Sequence, residues 1–195
     1  MLKVGLTGGI GSGKTLVCSV LEKLGVAVYY ADSEARRLMN SDPGLVIQIS
    51  GLFGDQAYEE GSLNREFIAD RVFKEKEFLT RLNELVHPAV RKDFSRWASE
   101  QEPDFYVVEE AAILFESGSD QNMDLTVAVF AEKELRVRRA MQRDGSTREQ
   151  VLNRMNTQMS DEEKMEKADL VIYNDGKKMI LPQIINMHNA ILKRE

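Results

Sequence analysis

A glycine-rich stretch near the start of the chain constrains the fold more than any other feature. Residues 5–15 read GLTGGIGSGKT, and Gly8–Thr15 fit the pattern G-x-x-x-x-G-K-[ST]. Successive backbone N–H groups of such a turn converge on an anion, and the positive end of a following helix adds to the attraction. A short apolar run, Lys3–Leu6, precedes the motif, and apolar residues at helical spacing follow it as far as Gly25. The stretch therefore predicts a strand, a phosphate-binding loop and a helix.

Two side chains of this loop carry specific chemistry. Lys14 is placed to reach the β- and γ-phosphates of a nucleotide, and the hydroxyl of Thr15 is placed to ligate Mg²⁺. The predicted nucleotide site also includes the loop residues Gly8, Gly11, Ser12 and Gly13, and the family resemblance described below adds Leu16. The loop alone leaves the fate of the terminal phosphoryl group open among transfer to water, transfer to a nucleotide, transfer to a metabolite, and sensing.

The rest of the chain alternates predicted strands with predicted helices. A helix is expected from about residue 33 to 40, and a closing helix from Lys177 onward. Five strands separated by helices indicate an α/β three-layer sandwich, with a parallel sheet flanked by helices. Residues 43–100 interrupt this alternation with a helical pattern and no convincing strand, which predicts a helical substrate lobe. The four strands predicted after the first are Val26–Tyr30, Phe105–Val108, Leu125–Phe130 and Leu170–Tyr173.

Composition narrows the class of protein. The net charge of −6 argues against a general nucleic-acid surface. The chain shows no N-terminal leader pattern and no apolar run approaching about 18 residues, so we expect a cytoplasmic protein without a membrane partner. The single cysteine, Cys18, lies on the helix after the loop and is expected to be a small buried hydrophobe. Protein partners and oligomeric state are not readable from these features.

Asp32 follows the second predicted strand. Ligands of open parallel sheets bind at the carboxyl ends of the strands, so a carboxylate here can accept a proton from an attacking hydroxyl. The alternative is that Asp32 or Ser33 caps the following helix. Position alone does not choose between the base and the cap, and the two are compatible.

A basic segment, Glu132–Arg143, is the next candidate. At 100° per residue Arg136, Arg139 and Arg143 fall on one stripe of a helix, and Val137 with its apolar neighbours faces away. Such a stripe can clamp phosphates and neutralise charge during transfer. A solvated face paired with glutamates is the alternative, but the position of the helix after a strand favours a lid. The predicted organisation is one domain, with a core of about 1–42, 101–135 and 168–195, the lobe at 43–100 and a lid at 136–167.

The order of these motifs resembles the dephospho-coenzyme A kinases, a family of P-loop kinases. The matching segments span nearly the whole chain, and their joint order is more specific than the loop alone. Two positions depart from the family pattern: Tyr30 stands where an aspartate is common, and Ala112 where a proline is common. The segments are LTGGIGSGKT, ADSEAR, the His87-Pro88 pair, ILFESG at 113–118, RRAMQRDG at 138–145, Gln158 and ADLVIYNDG at 168–176.

The resemblance implies ATP as phosphoryl donor, Mg²⁺ as cofactor and dephospho-coenzyme A as acceptor, with Asp32 as base on its ribose 3′-hydroxyl. It places Arg139 and Arg143 in the lid, and Asn174 with Gly176 near the adenine, where residues 174–176 would otherwise be read as a plain turn. His87 and Glu116 are implied substrate contacts. The alternatives are a helix start fixed by Pro88 for His87, and a helix cap or metal-shell group for Glu116.

Two other functions compete with this interpretation. One is a kinase of the adenylate or shikimate type on the same core, against which the motifs after residue 100 speak. The other is a guanine-nucleotide switch, which should carry an Asn-Lys-x-Asp motif that this sequence lacks.

Overall fold

The computed structural model describes residues 1–101 and 106–193, and the chain divides into two compact units. The first unit consists of Met1–Tyr30 and Glu100–Glu195, and the second of Ala31–Ser99. The second unit therefore begins before residue 43, where the helical lobe was predicted to start. No helix within the described residues has the length and apolar character needed to cross a membrane.

The first unit contains a five-stranded parallel sheet. Across the sheet the strands follow the order 27–30, 107–110, 3–7, 125–130 and 170–173, so the strand that precedes the phosphate loop lies in the centre. Central parallel strands are covered on both faces, which explains their nearly continuous apolar sequences. The strands are β1 (Lys3–Thr7), β2 (Ala27–Tyr30), β5 (Val107–Glu110), β6 (Leu125–Phe130) and β7 (Leu170–Tyr173).

Helices flank this sheet. The apolar faces of α1 and α9 join the buried strand residues in one hydrophobic core, which includes Val17, Leu21, Ile184 and Ile191. Cys18 belongs to the same core and is fully buried, as expected. The helices of the first unit are α1 (Lys14–Lys23), α6 (Lys133–Asp144), α7 (Arg148–Met155), α8 (Asp161–Lys167) and α9 (Ile180–Leu192), and a short 3₁₀ helix spans Ser119–Asn122.

The second unit is mainly helical. Its longest helix, α5, contacts each of the other three, and the buried carboxylate of Asp93 on α5 pairs with Arg37 on α2 at 2.6 Å. Phe53 and Phe78 stack with ring centroids 5.2 Å apart. The helices are α2 (Ala31–Ser41), α3 (Pro43–Phe53), α4 (Arg65–Lys74) and α5 (Lys76–Ser99), a 3₁₀ helix spans Asp55–Ala57, and a short hairpin joins β3 (Tyr58–Glu59) to β4 (Ser62–Leu63).

The predicted five-stranded parallel sheet flanked by helices is confirmed. The bounds of β6 and β7 agree with the prediction, and β1 extends one residue further, to Thr7. The prediction of β5 began too early, because Tyr106 precedes the strand, and it stopped too early, because two glutamates continue the strand where apolar character ends; Phe105 lies outside the described residues. The hairpin in the second unit was missed, because two-residue strands leave no periodic pattern; its turn places Glu60 and Gly61 at positive φ.

Candidate functional site

The phosphate loop lies between the end of β1 and the start of α1, as its sequence predicts. Gly13, the residue before the helix, has φ 103°, and Gly11 has φ 78°, which are left-handed conformations that favour glycine. The N–H groups of Leu16 and Val17 donate to the carbonyl oxygen of Gly13 and start the helix. The first turn of α1 therefore directs its free N–H groups into the loop, where they can bind an anion.

Lys14 reaches back over this loop. Its Nζ donates to the carbonyl oxygen of Gly8 at 3.0 Å and lies 3.4 Å from Oε1 of Glu110, at the carboxyl end of the neighbouring strand β5. Both side chains are about nine-tenths buried. The contacts hold a cation at the mouth of the loop, where it can attract phosphate oxygens. The sequence motifs assign no role to Glu110, although a Glu-Glu pair at the end of an apolar strand could have indicated one.

Two of the predicted lid arginines line a cavity over the loop. The cavity has a volume of about 240 Å³. Nη1 of Arg139 donates to the carbonyl oxygen of Asn174 at 3.1 Å, and Nε of the exposed Arg143 donates to Oδ1 of Asp144 at 2.7 Å. Arg143 and Arg154 hold the pKa of Asp144 well below its usual value. The residues around the cavity are Gly11, Gly13, Lys14, Thr15, Arg139, Ala140 and Arg143.

Arg136 does not belong with these two arginines, although helical spacing predicts one stripe. Its side chain is buried, and its Nη1 pairs with Oδ1 of Asp161 on α8. The first turn of α6 packs against the phosphate loop, so a residue that a lone helix would expose becomes enclosed. The other face of α6 behaves as predicted, because Val137 is buried with residues of α7.

Asn174 is attached directly to the phosphate loop. Its Nδ2 donates to the carbonyl oxygen of Ser12 at 2.8 Å, and its backbone N–H donates to that of Phe130 at 2.7 Å. These bonds join the ends of β6 and β7 to the loop and make Asn174 more than a turn residue. Gly176, at φ 79°, lies in the following turn with open space around it.

Glu116 contacts the segment around the start of α8, within the predicted lid at 136–167. Its Oε1 accepts from the backbone N–H of Met159 at 2.8 Å and lies 3.0 Å from Nζ of Lys164 on α8. Lys164 is itself buried and donates to the carbonyl oxygen of Ala112 at 2.6 Å. Burial lowers the pKa of Lys164, and the carboxylate of Glu116 opposes that effect. A helix-cap role for Glu116 is not seen, and its contact with substrate stays a prediction.

Asp32 and His87 belong to the second unit. The helix α2 begins at Ala31, so the exposed Asp32 lies in its first turn and does not cap it. His87 lies in the middle of α5, which continues through Pro88, so the interpretation of this pair as a helix start is wrong. Burial, and to a lesser extent Arg91, lowers the pKa of His87. The proposed roles of both residues rest on the family resemblance, and that of Asp32 also on its position after β2.

Comparisons with known proteins agree with this geometry. The family model described as dephospho-CoA kinase matches residues 2–179. The chain belongs to the dephospho-CoA kinase family. A dephospho-CoA kinase of Bacteroides fragilis is 41% identical over 186 residues, which cover 95% of this chain and 91% of the relative.

Two solved structures are also similar to this chain. A protein of Thermus thermophilus superposes with a TM-score of 0.83 and 35% identity over 98% of this chain and 96% of the other. A dephospho-CoA kinase of Campylobacter jejuni gives a TM-score of 0.71 and 25% identity, with 98% and 97% coverage.

The two departures from the family pattern have local structural explanations. Tyr30, in the place of the common aspartate, donates its hydroxyl to Oε1 of Glu22 on α1 at 3.0 Å, and burial raises its pKa. Ala112, in the place of the common proline, keeps the carbonyl oxygen that accepts from Lys164. Neither position is among the residues around the phosphate cavity.

Proposed function

We propose that this chain transfers the terminal phosphoryl group of ATP to the ribose 3′-hydroxyl of dephospho-CoA, giving CoA and ADP. The observation that carries the proposal is the convergence of Lys14, Arg139 and Arg143 on the phosphate loop in a member of the dephospho-CoA kinase family. Phosphoryl transfer passes through a loose transition state whose negative charge spreads over the phosphoryl oxygens. Fixed cations around those oxygens stabilise it without reorganising during the reaction.

Lys14, Arg139 and Arg143 have different proposed roles, which follow from their positions. Lys14 sits at the mouth of the loop and is proposed to bind the β- and γ-phosphates. Arg143 is exposed and held by a single neighbouring carboxylate, so it is free to turn towards phosphate when a nucleotide binds. Arg139 is tied to the backbone of Asn174, which is consistent with a role of Asn174 and Gly176 beside the adenine.

The site suits Mg²⁺ bound mainly through the nucleotide. Mg²⁺ commonly takes one or two protein oxygens and completes its octahedron with phosphates and water. Thr15 lines the cavity and offers its hydroxyl oxygen, and Glu110 places a carboxylate beside Lys14 at the end of β5. When bound, the metal neutralises phosphate charge. We propose Thr15 as the direct ligand and Glu110 as the group that orients the metal's water shell.

The second unit is proposed to hold the acceptor. It has an open cavity of about 450 Å³ whose wall combines apolar side chains such as Leu38, Leu45 and Leu85 with the cations Lys92 and Arg96 and the carboxylates of Asp42 and Asp93, and Asp93 pairs with Arg96. The apolar wall and Lys92 suit an acceptor with an uncharged arm and anionic phosphates. We propose Asp32 as the base that orients the 3′-hydroxyl and accepts its proton, and His87 and Glu116 as further acceptor contacts.

The proposed organisation is a kinase core with an acceptor lobe and a lid at about residues 136–167. The compact unit Ala31–Ser99 supports a lobe that begins before residue 43. We propose that the protein acts in the cytoplasm, because its proposed donor, ATP, is held there.

One incubation tests the function. Purified protein is mixed with Mg·ATP and dephospho-CoA, and the products are separated by chromatography and identified by mass. Stoichiometric CoA and ADP are expected, with no ADP when the acceptor is omitted. ADP release without acceptor would indicate a plain ATPase or switch, and transfer to shikimate or AMP instead of dephospho-CoA would indicate the other kinase class.

A further inference from the structure

Gln158 is one of the positions that match the family pattern, but nothing in the proposed mechanism uses it. It lies in the turn between α7 and α8, where its backbone N–H donates to the carbonyl oxygen of Met155 at 3.1 Å. Its side-chain Oε1 accepts from the backbone N–H of Ile10 at 3.1 Å. A side chain of the lid therefore binds a backbone group of the phosphate loop.

This hydrogen bond holds the N–H side of the Gly9–Ile10 peptide unit, and the carbonyl oxygen of the same unit is also hydrogen-bonded. The N–H of Ile10 and the carbonyl group of Gly9 belong to the same planar peptide unit. The Gly9 oxygen accepts from the N–H of Ser12 at 3.0 Å, which closes the turn at residues 9–12. Gln158 thus fixes the rotation of the peptide from which this turn starts. The turn at residues 9–12 then sets the direction of the N–H groups from Gly13 onward, which are the groups that can bind a phosphate.

The surroundings of Gln158 are fixed independently. The next residue, Met159, donates its backbone N–H to Glu116 at 2.8 Å. On the same side of the loop, the guanidinium of Arg136 lies against Gly9 and pairs with Asp161 at the start of α8. Burial raises the pKa of Asp161, and the guanidinium opposes that effect. The segment that carries the Gln158 side chain is therefore held next to the loop by contacts of its own.

We propose that Gln158 is a positioning residue that couples the lid to nucleotide binding, by holding the Gly9–Ile10 peptide in the orientation the phosphate loop needs. This inference rests on the proposed function for the identity of the nucleotide. A nest of N–H groups binds an anion strongly only if all of them converge on it. Loss of one fixed peptide lets the loop sample orientations that do not bind phosphate, so nucleotide affinity falls while acceptor affinity does not.

The test compares Gln158→Met with Asn156→Met. Methionine approximates the length of glutamine but offers no strong acceptor. Asn156 ends α7 two positions before Gln158, and within the described residues its backbone N–H donates to the carbonyl oxygens of Leu152 and Arg154 of that helix. Binding of Mg·ADP is measured by calorimetry, together with Tm and the KM of each substrate. We expect Gln158→Met to raise the Kd for Mg·ADP about 2- to 10-fold, the range of one hydrogen bond. We expect Asn156→Met to stay within about 1.5-fold, and the KM for dephospho-CoA to be unchanged in both.

An unchanged Kd for Mg·ADP in Gln158→Met overturns the inference, as does a lowered Tm with no change in Kd, which would indicate a merely structural side chain. If Gln158→Met does not fold, hydrogen exchange of the Ile10 amide in the unaltered protein decides: protection supports the bond, and exchange at the rate of an unstructured peptide overturns it. A protein that binds Mg·ADP but leaves dephospho-CoA unmodified refutes the proposed function without affecting this result.

Discussion

Substitution of Gly11 by alanine isolates the geometry of the phosphate loop from its chemistry. A methyl group at Gly11 would overlap the carbonyl oxygen of Arg136 and lie 2.9 Å from its carbonyl carbon, which belongs to the backbone of α6. A helix backbone cannot turn aside as a flexible side chain can. The loop must therefore move, by a displacement on the order of 1 Å. Misplacement of that size can cost about 10²-fold in rate.

Gly25→Ala is the matched control. Gly25 has φ 87°, close to the 78° of Gly11, but a methyl group there would meet no atom within 4 Å. Both substitutions carry the cost of a left-handed alanine, about 1–2 kcal/mol. For a chain of this size that cost corresponds to a fall in Tm of about 2–8 °C. The difference between the two variants is then the effect of the overlap with α6.

The assay measures ADP release in the presence of dephospho-CoA, with thermal unfolding of the same samples. Gly25→Ala should show this fall in Tm relative to the unaltered protein, with nearly normal kcat/KM for ATP. Gly11→Ala should lose about 10²-fold in kcat/KM for ATP. If its kcat/KM falls no further than about threefold below that of Gly25→Ala, the packing of α6 against the loop does not control nucleotide binding, and the reasoning is refuted.

Three further predictions concern charges. Arg139→Ala should lower kcat by about 10³-fold, as for arginines that act on transition-state charge. Arg138 is exposed and does not line the cavity, so Arg138→Ala should change kcat only slightly. Equal effects of the two substitutions on kcat in steady-state assays would contradict the assignment of the cavity. Asp32→Asn should lower kcat by about 10²-fold or more with ATP affinity retained; near-normal turnover with a lower Tm would assign Asp32 to helix stability. Burial lowers the pKa of both His87 and His188 in the folded protein. As the pH falls through about 6.5, these histidines therefore bind protons in the unfolded chain before they do so in the folded protein. The free energy of unfolding then decreases, by at most about 1.4 kcal/mol per pH unit for each histidine. Urea titrations at about pH 7.5 and pH 5.5 should show a smaller decrease in a His87→Gln/His188→Gln variant, and an equal decrease in both proteins would mean that other groups cause it.

Much of the core fold was predictable because its patterns are local. The bounds of β6 and β7 follow from apolar runs of strand length, and the phosphate loop follows from glycine spacing between a strand and a helix. The failures share a different cause. The continuation of β5 into Glu110 is charged, and the path of α5 through Pro88 contradicts the local preference of proline. In both places packing overrides the intrinsic tendency of the residues.

The sequence by itself determined the class of ligand, since a turn rich in glycine and ending in Lys14-Thr15 binds phosphate wherever a strand and a helix flank it. Only the tertiary structure decided what holds that turn in shape. The bonds from Ile10 to Gln158 and from Ser12 to Asn174 join residues separated by 148 and 162 positions. Periodicity reports neighbours along one element, so it carries no information on such contacts. For the same reason, helical periodicity predicts that Arg136 is exposed on one stripe with Arg139 and Arg143, whereas the packing of α6 against the loop buries Arg136.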